Sequence, residues 1–274
     1  KEAGVSHQTV YRILQSSGLE TKKSFDYLPN VLSMDEFKSV KNAEGAMSFI
    51  VGDPLQRELI DIVEDRRLSS LIRYFHRYPL KARQHVKAVI IDMYDPYIQL
   101  VRQCFPNADI VIDKFHLVQH LNRAMNKIRI EAMKRFATDS LDYRLLKDHW
   151  KLLLKPVDTL GDDFRYSYKL KRYISSLELA ELLASLDDSL KEQWTAYQLL
   201  LGCLRDRDAQ RFFYHLKRYR GTLHPHLSTV IETFLKLEKY IHNTFRTSLT
   251  NGFIEGMNNK IKLIKRVSYG YRSF

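Results

Sequence analysis

The sequence is poor in cysteine: Cys104 and Cys203 are the only two. That excludes a disulfide framework or a multi-cysteine zinc site and suits a reducing cytosol. No apolar run reaches about 18 residues, so a membrane span is not expected. No secretory leader is visible. Negative charge is in the minority, with 32 Asp and Glu against 44 Lys and Arg, a net charge of +12. The hydrophobic fraction of 45% excludes a disordered chain, and 274 residues suggest one large domain or two ordinary ones. An opening at Lys1, inside what reads as a motif, is expected of a fragment or processed chain.

The excess positive charge points to a polyanionic partner, most often nucleic acid. Basic residues are dense in Lys127–Arg135, Arg211–Arg220 and Lys260–Arg266. Phe136, Tyr214 and Tyr219 lie beside or within two of these stretches, where aromatic rings either stack on unpaired bases or fill a core at helical spacing.

Residues 1–15 fit the second half of a helix-turn-helix, with Gly4 at the turn and Ser6 as N-cap. Val10, Ile13 and Leu14 would be buried. His7, Gln8, Tyr11 and Arg12 would face a DNA major groove. Residues 16–30 read as a linker. Strands are expected at Val31–Met34, Ala46–Val51, Leu59–Val63, Val86–Ile91 and Ile110–Ile112. Helices are expected over 68–84 and 96–104. The order β-β-β-α-β-α-β indicates a mixed α/β sheet with helices packed on it. From about 115 to 245 apolar residues recur at helical spacing, which predicts a helical block. A last amphipathic helix over 250–266 opens at Thr250 or Asn251.

Three acids fall where such a sheet presents its working edge. Asp35 closes the first strand, Asp92 closes the fourth, and Glu255 sits in the first turn of the last helix. Ionised carboxylates at the ends of buried strands are costly unless solvated, paired or bound to a cation. Hard divalent cations favour such oxygen donors. Two of them about 3.5–4 Å apart can activate an attacking oxygen and stabilise a leaving one at phosphorus. In the last helix Ile254, Met257, Ile261 and Ile264 form the buried face. Glu255, Asn258, Asn259, Lys262 and Arg266 fall largely on the other, with Lys262, Lys265 and Arg266 as candidate phosphate contacts.

The segments MDEF, VIIDMYDPY, IVIDKFHLVQHLNRAMNKIR and NGFIEGMNNKIKLIKRVSYGYRSF, in that order, resemble the ISL-three family of bacterial insertion-sequence transposases. The resemblance covers about residues 31–274. It implies the DDE class and an RNase H-like fold with a large all-α insertion, preceded by the partial helix-turn-helix. The implied divisions are 31–116 for the first part of the catalytic core, 117–247 for the insertion and 248–274 for the closing helix. Carried over, Asp35, Asp92 and Glu255 are the catalytic, metal-holding acids. Asp35 would bridge two Mg²⁺ or Mn²⁺ ions and the other two acids would hold one each. Asp113 is the rival second acid, and with His116 forms a D-x-x-H pair that resembles the histidine element of Mutator-type enzymes. Glu36 and Asp95 are candidate outer partners.

The implied reaction is cleavage at transposon ends followed by attack of the freed 3′-OH on target DNA. The implied partners are double-stranded DNA and a second copy of the chain in a homodimer on DNA, with no membrane. The implied location is the bacterial cytoplasm, at the nucleoid. The family's amino-terminal zinc-binding segment is not in the sequence, and truncation at both ends is expected. Three other classes stand beside this reading: a non-catalytic DNA-binding remnant or repressor derived from a transposase, an RNase H-like nuclease without strand transfer, and a basic helical scaffold.

Overall fold

A computed structural model describes residues 24–39 and 45–267. The expected helix-turn-helix, with His7, Gln8, Tyr11 and Arg12, lies outside the described residues. Five strands form one sheet: β1 (Val31–Lys38), β2 (Met47–Asp53), β3 (Glu58–Val63), β4 (Ala88–Ile91) and β5 (Asp109–Ile112), in the order β3-β2-β1-β4-β5. β1, β2 and β3 are an antiparallel meander, while β4 and β5 run parallel to β1. This is the mixed sheet of an RNase H-like fold.

The first strand is longer than its apolar run. β1 continues through Asp35 and Glu36 to Lys38, because Asp35, Glu36 and Phe37 pair with Ile50, Phe49 and Ser48 of β2. Asp35 therefore lies inside the strand and does not close it. The helix expected over 68–84 is two helices, α1 (Leu68–Phe75) and α2 (Leu80–His85). Pro79 lacks an amide hydrogen and pushes Tyr78 out of helical geometry, so the chain must break there. Residues at the end of the expected linker are packed. Leu28 is fully buried, Phe25 sits edge-on to Tyr78, and the Asn30 carbonyl accepts from Lys87 and Ala88. Their lack of periodicity reflects an extended segment laid on the core.

After α3 (Asp95–Cys104), the long α4 (Lys114–Met133) starts directly from β5. Helices α5 (Leu141–Asp148), α6 (Trp150–Leu153), α7 (Ser176–Ser185), α8 (Asp188–Asp206), α9 (Ala209–Arg218), α10 (Pro225–Lys236) and α11 (Glu238–Arg246) follow. Between α6 and α7 the helical block carries a two-stranded hairpin, β6 (Arg165–Ser167) and β7 (Arg172–Ile174). The period-two pattern Tyr166-x-Tyr168 was its only sequence signal. α12 (Gly252–Val267) closes the described chain.

One sheet face carries Leu32, Met34, Val89, Ile91, Ile110 and Ile112, and its core runs unbroken into the helical block. Glu131 on α4 helps to tie that block together, lying 3.1 Å from His224 and 2.7 Å from His226. The opposite sheet face has two small apolar patches. One is Val31, Ile90 and Val111; the other is Phe37, Ile50 and Ile254 of α12. Between them runs a polar strip. Gly52 lets α12 sit close on β2, since a Cβ there would lie 2.9 Å from the Ile254 side chain and 2.8 Å from the Glu58 carbonyl.

β5 is an edge strand, and α11 covers it. Asn243 Nδ2 donates to the Ile110 carbonyl at 2.9 Å and Thr244 Oγ1 to the Ile112 carbonyl at 2.6 Å. These bonds occupy edge carbonyls that would otherwise invite pairing. Thr244→Val keeps the shape and orphans the Ile112 carbonyl. It is expected to cost about 1–2 kcal/mol, read as a lower urea midpoint with an unchanged m value.

Candidate active site

The sheet register assembles the acids. β1 and β4 match Val31 with Ala88, Leu32 with Val89 and Ser33 with Ile90. Continued along the strands, the same offset sets Asp35 opposite Asp92. β4 and β5 match Ile91 with Ile112, so the next pair is Asp92 and Asp113. Side chains alternate between faces along a strand. The three carboxylates therefore form one row on the polar strip, just past the last paired residues of β4 and β5.

α4 brings a fourth group. Its first turn begins at Asp113, whose carbonyl accepts from the His116 amide at 3.1 Å. His116 Nε2 then lies 2.7 Å from Asp92 Oδ1. α12 brings the fifth. Ligand atoms of Asp113, His116 and Glu255 all lie within 4.8 Å of one another.

Asn251 fixes where α12 starts. Its carbonyl accepts from the Glu255 amide at 2.9 Å, the first turn of the helix. Its side chain is fully buried and bonds to β1: Nδ2 donates to the Met34 carbonyl at 3.1 Å, and Oδ1 accepts from Ser33 Oγ. Its backbone N–H also reaches the Asp113 carboxylate. One turn beyond Glu255, Asn258 Nδ2 donates to Asp35 Oδ2 at 2.7 Å.

The electrostatics follow from this crowding. Burial, reinforced by the Asp92 charge, pushes the Asp35 carboxyl up to about 6. Burial also raises Asp113, against the opposing pull of His116 and of the Phe115 and Asn251 amides. Glu255 is raised by burial and then by Asp113. For His116 burial acts to lower the pKa, but Asp92, Asp113 and Asp35 outweigh it and hold the imidazole above its ordinary range. Four carboxylates thus converge around one imidazole.

The donor set suits a hard divalent cation. The carboxylates supply oxygen ligands and excess negative charge. In addition, Asn258 Oδ1 is buried without a hydrogen-bond partner among the described residues. A buried amide oxygen aimed at nothing is costly, and a cation beside Asp35 would satisfy it.

Other candidates sit elsewhere. Glu36 projects from the opposite sheet face, where it pairs with Arg66 and accepts from the Tyr97 hydroxyl at 2.8 Å. It is therefore not an outer partner of the acids. Asp95 is exposed in the first turn of α3 and accepts from Gln99. Asn259, Lys262 and Arg266 are exposed on α12. Lys265 packs across the Phe37 ring and donates to the Lys38 carbonyl at the end of β1. Tyr214 is exposed and Tyr219 stacks on His215. Sequence reasoning placed Asn251 as a cap and Asn258 beside Glu255, but missed that both side chains bind β1. Ser33, the polar residue two before Asp35, was the available signal.

The profile of a transposase family, the ISL-three group of the DDE class, matches residues 32–274. The chain is 30% identical over 246 residues to the "Transposase for insertion sequence element IS1001" of Bordetella parapertussis, covering 88% of this chain and 57% of that protein. It is 30% identical over 109 residues to a protein of Lactococcus lactis subsp. lactis named "ATP-dependent protease", covering 40% of this chain and 35% of that protein. The chain thus spans about half of the first relative's length and a third of the second's. No solved structure matches it. Among the described residues no helix is long and apolar enough to cross a membrane. With acids, sheet order and closing helix falling inside the matched residues, the chain belongs to the ISL-three family of transposases.

Proposed function

We propose that this chain carries the catalytic centre of a transposase that cuts DNA at transposon ends and joins the freed 3′-OH to target DNA. The observation that carries the reading is the row Asp35–Asp92–Asp113 set by strand register, closed by Glu255. Asp35, Asp92 and Glu255 are the acids that would hold Mg²⁺ or Mn²⁺ there. Bound there, such ions supply Lewis-acid activation of the attacking oxygen and neutralise charge developing on the leaving oxygen.

The chain's own groups hold these acids in place. Asn258 fixes Asp35 Oδ2 and the Glu36 amide fixes Oδ1, at 2.7 Å each. His116 orients Asp92 through its Nε2. Asp113 adds to the upward pull of Asp92 on the His116 imidazole and anchors the N-terminus of α12 through the Asn251 amide. The partners are double-stranded DNA, at transposon ends and target, and a second copy of the chain. Exposed Lys262 and Arg266 extend α12 away from the acids as phosphate contacts.

The test is nicking of a labelled duplex carrying the element's terminal repeat, with Mg²⁺ or Mn²⁺. Asp92→Ala is expected to lower metal-dependent nicking about a thousandfold or more, the rate equivalent of several kcal/mol, and to leave duplex binding nearly unchanged. Cutting that survives Asp92→Ala and is lost in Asp113→Ala would move the second acid to Asp113. Tight, salt-sensitive binding by a parent chain that never cuts would instead favour a DNA-binding remnant.

A further inference from the structure

The β6–β7 hairpin leaves three tyrosines outside the core. Tyr168 is 87% exposed, Tyr173 66% and Tyr166 45%. Tyr166 pairs with Tyr173 across the ribbon, so both rings share one face. Tyr168, two residues on from Tyr166, joins them. Ring centroids are 5.3 Å apart for Tyr166 and Tyr173 and 5.2 Å for Tyr166 and Tyr168, all edge-on. In an edge-on pair the edge of one ring meets the face of the other, so each contact covers one face, and the high exposure of Tyr168 and Tyr173 leaves ring surface open. Ile174 on the other side is buried and roots the ribbon in the helical block.

Charge surrounds these rings. From Phe164 to Tyr173 the sequence FRYSYKLKRY has four cations and no acid, directly after the exposed pair Asp162 and Asp163. Lys169 is paired with Asp148. No ion pair engages Arg165, Lys171 or Arg172 among the described residues, and all three cations are exposed. Lys171 has φ of 52°, the left-handed region where glycine would be cheaper.

We propose that this hairpin is a binding site for unpaired nucleotides of DNA: the cations take the phosphates and the open tyrosine faces take bases. Duplex bases are stacked on both sides and offer no free face, so the rings select frayed, flipped or single-stranded positions. A protein partner would explain the rings but not the three exposed cations without an ion pair among the described residues. The proposal rests on the transposase reading for its DNA partner and adds where unpaired bases are held.

The test is fluorescence anisotropy on the full chain with two probes, labelled oligothymidylate and a labelled duplex closed by loops at both ends. The joint substitution Y166A/Y168A/Y173A is expected to weaken oligothymidylate binding tenfold or more. Closed-duplex binding should change little, and the joint substitution to Phe should retain parental affinity for both probes. A matching melting temperature confirms that the alanine variant is folded. Unchanged oligothymidylate binding, an equal loss on both probes, or a Phe variant as weak as the Ala variant would each overturn the proposal. So would a parent chain that binds the closed duplex but not oligothymidylate, which leaves the transposase reading intact. A parent chain that binds neither probe would sink both.

Discussion

Asp35→Asn should inactivate the protein and, without metal, stabilise it. Asp35 is pushed up to about 6 from its ordinary 3.8, by burial first and by Asp92 second. An acid whose pKa is raised on folding penalises the native state as pH climbs. Below about pH 4 the group is protonated in both states and contributes nothing. Between about 4 and 6 the unfolded chain releases the proton and the folded chain holds it, so stability falls. Above that window the penalty is constant, at about 3 kcal/mol for a two-unit shift.

Removing the charge removes the penalty. The neutral amide keeps a partner as well, because a flipped Asn258 would present its orphaned Oδ1 to the new NH₂ group. In metal-free buffer the melting curves of parent and variant should coincide near pH 4 and separate towards pH 7, with the variant higher. Saturating Mg²⁺ should close the gap by stabilising only the parent. Nicking should fall about a thousandfold or more, as expected when a metal ligand is lost. A variant no more stable than its parent at pH 7 would mean that Asp35 is better solvated than its burial indicates. Stability gained by deleting a functional charge is the expected sign of a site held under tension.

Asn251→Ala should be a severely damaging change at a polar residue outside the acids. It strands the Ser33 hydroxyl and the Met34 carbonyl in a fully buried setting. Two orphaned groups at about 1–3 kcal/mol each place the cost near 3–4 kcal/mol. The start of α12 would loosen, and Glu255 with it. Urea unfolding should show the loss of stability. At temperatures where the variant is still folded, nicking should require far more Mg²⁺ than in the parent. A variant that is destabilised but keeps the parental Mg²⁺ requirement would show that Glu255 is held by other contacts.

Much of the scaffold was legible because its signals are local. β-branched runs gave β4 and β5, and the acids after them stood out against those runs. Pairing partners were not legible. Nothing in the spacing of Asp35, Asp92 and Asp113 states that they share a register, since the offset is set by how three strands slide into a common core. The extension of β1 through two acids was invisible to an apolar-run criterion, because its hydrogen bonds come from β2. Asn251 looked like an ordinary helix cap, since a buried amide bridging helix and sheet has no linear signature. The helical reading of 115–245 absorbed RYSYKLKRYI, although alternation at Tyr166 and Tyr168 is a strand pattern.

The bond network of Asn251 also bears on how this lineage can change. Glu255 takes its position from β1 and from Asp113, not from the 120 or so residues that precede α12 in the chain. α4 starts directly from β5 and α11 covers β5 at the other end of that stretch, so segments from α5 to α10 are expected to gain or lose turns, or whole helices, without moving the third acid. Relatives are therefore expected to differ in length mostly there. A chimaera that exchanges that stretch with a relative's is therefore expected to fold with the four acids still in place.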